Sequence, residues 1–221
     1  MGSYLTGKIL PKIKNMPREI EELINYYKRY NLETHVFNAT TDLQIPVVMS
    51  LVLDRTGIGE SVNLGAKSGE SYLECIRGSL FEVIQPRRAA RMTQILNPDI
   101  LKFDSSKPIN GMEERYAYWR PVERINDLDF WLNSSESVDY NKLPKKRVSL
   151  NESLKIMRKG GFSVYLADIT LPPVREKGFE SLKVLIPQLH PLYLAENAKA
   201  LYSTHYGEIP DNSKLKPHPF T

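Results

Sequence analysis

Apolar and polar positions alternate with two different periods along this chain. Within residues 16–32, Ile20, Leu23, Ile24 and Tyr27 recur at helical spacing. Pro17 suits the first helical position. Glu19, Glu21 and Glu22 lie near the positive end of the helix dipole, and Lys28 and Arg29 near its negative end. Residues 33–39 (ETHVFNA) predict a strand. Residues 45–54 (IPVVMSLVLD) predict a stronger one, a short continuous apolar run of the kind buried on both faces. A turn at 55–59 leads into a returning strand at 61–67. The most regular helical pattern covers 69–85. Pro86 ends or kinks it, with 89–92 as a continuation.

Farther along, residues 97–123 are polar and weakly periodic, with Pro98, Pro108 and Gly111, and read as long loops with a short helix near Trp119. Residues 127–132 predict a helical turn and 134–148 a polar loop; loops of this length are usually lids, ligand segments or disordered. A helix over 149–159 stops at Gly160 and Gly161. Strands follow at 162–169 and 182–186, the second closed by Pro187, and then a helical segment at 195–202. There is no fixed-period repeat. Strands near residues 36, 48, 64, 165 and 184, covered by helices, predict an α+β (mixed α/β) fold with one sheet of about five strands.

Composition narrows the function classes. The chain has 221 residues, 41% of them hydrophobic and 25% charged, enough to bury a core, and it reads as a single domain over 1–221. Thirty basic against 26 acidic side chains leave a net charge of +4, too small for a dedicated nucleic-acid binder. No stretch approaches the roughly 18 apolar residues of a membrane span, and no apolar signal segment is visible at the start. The lone Cys75 excludes a disulfide framework and a Cys-built zinc site. The expectation is a reduced, cytoplasmic compartment. Matches to Asn-x-Ser/Thr at Asn38, Asn133 and Asn151 are read as chance.

Three segments carry candidate chemistry. Placed at about 100° per residue with Glu74 at zero, Gln85, Gly78, Ser71 and Glu82 fall at about 20°, 40°, 60° and 80°. Ile76, Leu80, Val83 and Ile84 take the opposite side. Two carboxylates and an amide on one face suit Mg²⁺, which prefers oxygen ligands and usually shares them with phosphates. Arg87, Arg88 and Arg91 suit phosphate oxygens. Gly78 within the arc leaves the backbone open to a ligand. An amphipathic helix with a solvated polar face explains the same pattern and is the commoner case. The tail over 203–221 ends Pro217-His218-Pro219-Phe220-Thr221, where alternating prolines stiffen an extended chain; a frayed terminus is the ordinary alternative. The basic run 144–148 matches nucleic-acid patches, but as a solvated loop it needs no such explanation. His35, His190, His205 and His218 show no metal-ligand spacing, and no Gly-rich phosphate loop, G-x-G-x-x-G, H-E-x-x-H or G-x-S-x-G is present.

Five segments resemble, in order, blocks of the YcaO-domain family. Residues 41–48 (TDLQIPVV) resemble its T-x-D-L-G-I-P-V, and residues 77–88 its R-A-L-x-E-x-x-Q-x-R. Residues 160–170 are similar to G-x-x-V-x-x-x-D-x-T, residues 183–192 to V-x-V-I-V-P-G-L-Q-P-L, and the tail to P-H-P-F-P. The resemblance implies ATP- and Mg²⁺-dependent activation of a peptide backbone amide. In azoline-forming members a Cys, Ser or Thr side chain attacks the preceding carbonyl, whose oxygen is phosphorylated and leaves as phosphate. Related members make thioamides or amidines, and the products include bacteriocins. By position the resemblance makes Glu82 and Gln85 the Mg²⁺ and ATP residues and Arg88 a lesser phosphate candidate, and the helical arc adds Ser71 and Glu74 to them. It gives Thr221 a terminal carboxylate positioned by Pro217 and Pro219.

The chain departs from the pattern at Thr221, where the family has Pro, and at Gln188, where it has Gly. The family's upstream S-x-x-E-x-x-E-R helix is not found. The resemblance therefore implies the C-terminal part of the domain, without a complete ATP site of its own. Its expected partners are a precursor peptide, a partner protein or the missing N-terminal half, and a second copy of itself. A docking or scaffold module without chemistry is the competing reading.

Overall fold

The computed structural model describes residues 9–99, 102, 104, 106, 108–198, 202–203, 207–208 and 216–220. In chain order the first elements are β1 (Lys12–Lys14), α1 (Arg18–Lys28), β2 (Leu32–Asn38), β3 (Val47–Asp54) and β4 (Val62–Ser68). Two helices follow, α2 (Tyr72–Glu82) and α3 (Ile84–Leu96), and then α4 (Met112–Trp119). A 3₁₀ stretch (Val122–Leu128) leads to α5 (Asp129–Leu132), β5 (Ser137–Asp139) and α6 (Leu150–Lys159). The last elements are β6 (Tyr165–Asp168), α7 (Pro172–Arg175), β7 (Leu182–Leu185), β8 (Tyr202–Ser203) and β9 (Gly207–Glu208).

The main sheet has five strands in the order β4-β3-β2-β1-β5. β2, β3 and β4 form an antiparallel meander, with Leu32 opposite Asp54 and Val47 opposite Ser68. β1 adds antiparallel to β2, and β5 adds parallel to β1 with Lys12 opposite Ser137. The apolar run of β3 faces both ways. Val48 and Val52 pack under α1 and α2 with Ile20, Tyr27, Ile76 and Leu80. Met49, Leu51 and Leu53 pack on the opposite face with Tyr118, Trp119, Ile125, Leu128 and Trp131. This is the period-2 alternation of a strand with a core on each side. Ser50, on the α2 face, is fully buried and satisfies its hydroxyl on that of Ser79 at 2.7 Å.

The expected sheet has the right number of strands but not the expected members. The strands near residues 165 and 184 pair only with each other, Tyr165 opposite Leu185 and Asp168 opposite Leu182, as a separate two-stranded ribbon. Their places are taken by β1 and by β5, which lies inside the stretch expected to be a polar loop. All eight ribbon residues are exposed, and Tyr165, Leu166, Val184 and Leu185 each keep more than half of their surface in solvent. The expected helix at 195–202 reduces, among the described residues, to a 3₁₀ turn over Glu196–Ala198.

Helix ends follow local chemistry. Glu19 and Glu21 occupy the first turn of α1 and Lys28 its last. Ser149 and Glu152 form a reciprocal capping box at the start of α6. Pro86 does not end the helical stretch. It is the third residue of α3, where a missing N–H removes no helical hydrogen bond. The break falls earlier, at Val83, which is fully buried and keeps its N–H on Ser79 O at 3.0 Å.

Candidate functional site

Helix α2 lies on the edge strand β4 at close range. A Cβ on Gly65 would sit 2.5 Å from Ser79 O and 2.6 Å from Val83 N, so only glycine admits this approach. At the far end of α2 the Glu82 carboxylate accepts the Ala66 backbone N–H, meeting a donor on the free side of the edge strand. Partial burial raises the Glu82 pKa, against the pull of that hydrogen bond and of Lys67. Glu82, Gln85 and Arg88 are all exposed around the Val83 break.

The predicted polar arc is therefore divided. Ser71 caps α2, accepting Glu74 N at 3.3 Å, and Glu74 lies 3.7 Å from the Arg147 guanidinium, which itself bonds Glu70 at 2.7 Å. Ser71 and Glu82 stand about 16 Å apart along the helix axis, too far to touch one metal ion. Ser71 instead borders a cleft of about 230 Å³ shared with Tyr72, Tyr140, Lys145 and Arg147. Gly78 does not open the backbone to a ligand, because the Lys67 side chain lies over it, with Cγ 2.7 Å from where a Cβ would stand.

The three arginines have different fates. Arg87 turns inward: its Nη2 donates to Asp54 Oδ2 at 2.5 Å and its Nη1 to Glu60 O at 3.2 Å. Asp54 also accepts the Thr56 N–H at 2.9 Å and the Thr56 hydroxyl at 2.5 Å. Burial works to raise the Asp54 pKa, but the Thr56 and Arg87 hydrogen bonds outweigh it and hold the carboxyl below the usual range. Arg88 and Arg91 remain exposed. Glu60 is 2% exposed, and among the described residues neither of its oxygens meets a donor from another residue. Burial raises its pKa against the fields of Arg87, Arg120 and Arg91.

The tail packs onto the opposite face of the sheet from α2. His218 and Pro219 are buried, Pro217 and Phe220 partly so, and Phe220 rests against the cluster of Trp119 and Trp131. Thr221 lies outside the described residues. Arg115 of α4, fully buried, donates from Nη1 to His218 O at 2.8 Å and from Nη2 to Leu194 O at 2.5 Å and Glu196 Oε1 at 2.9 Å. Sequence reading missed Arg115; the available signal was a lone cation followed by the apolar run Tyr116-Ala117-Tyr118-Trp119.

Glu82 and Gln85 fit part of a Mg²⁺-phosphate site, since Mg²⁺ takes one or two carboxylates and fills its remaining positions with water and phosphate oxygens. Among the described residues no three His, Cys, Asp or Glu side chains gather as a metal cage. Cys75 is buried, its thiol pushed up to about 12 by burial first and by Glu74 second. No described helix is long and apolar enough to cross a membrane.

Comparison with known proteins agrees with this architecture. A family model described as YcaO cyclodehydratase, ATP- and Mg²⁺-binding, matches residues 5–190. A heterocyclase in complex with substrate and cofactor superposes with a TM-score of 0.63 at 20% identity over 85% of this chain and 24% of that one. The Escherichia coli microcin synthetase McbBCD complex with pro-MccB17 bound gives 0.60 at 16% identity, covering 100% of this chain and 57% of that one. YcaO from Methanopyrus kandleri, bound with AMPPCP and Mg²⁺, gives 0.52 at 16% identity over 83% of this chain and 46% of that one. The chain thus spans between a quarter and somewhat over half of these relatives. No curated protein sequence matches it significantly. With the family model covering most of its length and the fold shared with these structures, the chain belongs to the YcaO family.

Proposed function

We propose that this chain is the C-terminal part of an ATP- and Mg²⁺-dependent enzyme that activates a backbone amide of a ribosomally made peptide. The reaction class is cyclodehydration of Cys, Ser or Thr to an azoline, or the related thioamide or amidine formation, in the maturation of a peptide such as a bacteriocin. The observation that carries this reading is the exposed pair Glu82 and Gln85 at the α2–α3 break, in a chain of a family described as ATP- and Mg²⁺-binding. In this role Glu82 and Gln85 offer oxygen donors to Mg²⁺ and Arg88 faces phosphate. Ser71 and Glu74, a helix length away, contact another part of the nucleotide. The tail, through Pro217, Pro219 and Thr221, reaches toward the reacting peptide. Mg-ATP, when bound, supplies the phosphoryl group that makes the amide oxygen a leaving group.

Activity requires a second polypeptide or further chain supplying the rest of the fold. Two features support this. Glu82 and Gln85 make only part of an ion's coordination shell, and the β6–β7 ribbon exposes apolar side chains on both faces. That ribbon also supports the second reading, a non-catalytic docking module of a peptide-modifying complex.

Calorimetry with Mg-ATP separates the two readings. The chain alone is expected to bind weakly. With the complementary part supplied, binding should appear, together with phosphate release that depends on a Cys-containing peptide. Glu82→Gln keeps an acceptor for Ala66 N–H and should weaken Mg-ATP binding at least tenfold without changing the far-UV spectrum. Unchanged binding in Glu82→Gln, or silence in the reconstituted complex, overturns the catalytic reading.

A further inference from the structure

We propose that Arg115 is the positioning residue of the C-terminal tail, a buried guanidinium latch that fixes where the tail lies. The proposal rests on the functional reading only in giving the tail a use; the latch itself stands on geometry. One cation joins three stretches of chain distant in sequence. Its Cα belongs to α4, its Nη2 holds Leu194 O and Glu196 Oε1, and its Nη1 holds His218 O. Two of these acceptors are main-chain carbonyls, so the position of the backbone itself is set.

The latch grips on two sides. The His218 ring nitrogen Nε2 donates to Tyr193 O, and its ring lies edge-on to the Tyr193 ring with centroids 5.0 Å apart. The tail is thus tied to the 193–196 segment both through Arg115 and directly. Pro217 and Pro219 on either side of His218 fix their own backbone angles, so the direction set at one carbonyl is transmitted along the tail. Phe220 then seats on the Trp119 and Trp131 cluster.

Packing alone does not call for an arginine here. The side chain is fully buried, and among the described residues it has a single carboxylate partner and its Nε has no hydrogen-bond partner. A residue of similar volume without charge would fill the space at no desolvation cost. What the guanidinium adds is direction: a planar fork whose donors meet carbonyls from two separate segments. If the tail leaves, the buried charge loses one of its three acceptors, which holds the tail in place.

The test uses the full 221-residue chain with Arg115→Met and Arg115→Lys. Amide hydrogen exchange within residues 216–220, carried by Lys216, His218 and Phe220 because proline has no amide hydrogen, is read beside exchange in β2 and β3. In Arg115→Met, exchange at 216–220 should rise at least tenfold while β2 and β3 stay protected, and Arg115→Lys should recover part of the protection. In the reconstituted enzyme, Arg115→Met should lower kcat at least tenfold with the KM for ATP unchanged. Deleting residues 216–221 should give the same loss, and the two changes together should give no more. Unchanged protection at 216–220, or exchange that rises equally throughout the sheet, overturns the latch. If Arg115→Met does not fold, Glu196→Gln with Arg115 retained decides, expected to raise exchange at 216–220 selectively. A reconstituted protein inactive toward every peptide removes the functional reading, and the exchange result still decides the latch.

Discussion

Ala90 of α3 packs on Tyr116 of α4, and both are buried. The contact joins two regions that the sheet otherwise separates. α3 carries Gln85 and Arg88 and continues from α2 on one face of the sheet. α4 holds the tail on the other face through Arg115, the residue next to Tyr116. The proposed phosphate-facing wall and the proposed tail position are therefore one contact apart.

Gly65 of β4 and Gly78 of α2 should respond to alanine to different degrees. In Gly65→Ala the new methyl meets Ser79 O and Val83 N, backbone atoms fixed by helix hydrogen bonds. Overpacking of this kind costs about 3 kcal/mol. In Gly78→Ala the nearest atoms are those of the Lys67 side chain, with Cγ at 2.7 Å, which must turn aside. Alanine favours a helix interior over glycine by about 1 kcal/mol, which offsets part of that cost, so this variant should be clearly less destabilised than Gly65→Ala. Urea denaturation of both measures the difference, and equal effects would contradict the described packing.

Arg87 and Asp54 form a largely buried pair, with side chains 14% and 2% exposed. Arg87→Met leaves the carboxylate with Thr56 alone and should destabilise by about 3 kcal/mol at neutral pH. Adding Asp54→Asn should return part of that loss, as a double-mutant cycle by urea denaturation reports. Because the folded Asp54 pKa is depressed, its contribution is present above the ordinary carboxylate range near 4. It is lost as pH falls through the lower folded value. The acid limb of the stability profile should flatten in the double variant.

The tail should loosen on acidification. Burial first, and then the charge of Arg115, hold the His218 pKa below its ordinary value, against the Tyr193 carbonyl and Glu196, which pull it up. The docked form therefore binds fewer protons than the free tail at pH below about 6.5, and docking weakens as pH falls through that value. Exchange at 216–220, corrected for its intrinsic pH dependence, should be faster at pH 5.5 than at 7.5. His218→Gln should remove most of the difference. The pKa of His35 on β2, paired with Glu33, is also lowered by burial, so the sheet's own loss over this pH range is read from exchange in β2 and subtracted.

The serine cap of α6 is a local test. Ser149→Ala removes the acceptor of Glu152 N–H and half of the reciprocal box, which should cost about 1 kcal/mol. Circular dichroism and thermal melting measure it; no change in melting would mean that α6 contributes little to cooperative unfolding.

Much of the central fold is legible from local pattern. The apolar run of β3 announces a strand buried on both faces, and the spacing of Ile20, Leu23, Ile24 and Tyr27 announces α1. β1 and β5 are not legible, because KIK and SVD are three residues each and become strands only by pairing with distant partners. α4 lies where a short helix near Trp119 is expected, but its start at Met112 and its burial are not legible, because Arg115 through Trp119 are all buried and leave no polar face to set a period. Glu82 and Gln85 stand out because their spacing and the family block agree. The division of their arc at Val83 depends on how the helix meets β4, which no spacing reveals. Arg115 was hidden because its partners lie 79 to 103 residues away, and the role of Arg87 because its partner Asp54 is 33 residues away.

The parallel pairing of β1 with β5 also bears on the order of assembly. Lys12 leaves the ribosome long before Ser137, its partner across the sheet. Until residues 137–139 exist, the outer edge of β1 lacks the strand that pairs with it among the described residues. The β2–β3–β4 meander needs only short connections, so it can close while the chain is still emerging, and loop-closure entropy favours that sequence of events. The β5 edge, by contrast, is a late seal. Pairing Lys12 with Ser137 and bonding the Lys12 ammonium to Leu132 O at 2.6 Å, it brings the start of the described chain to the segment that precedes α6. A chain interrupted before residue 137 would carry an open strand edge into solution, which is where mispairing begins.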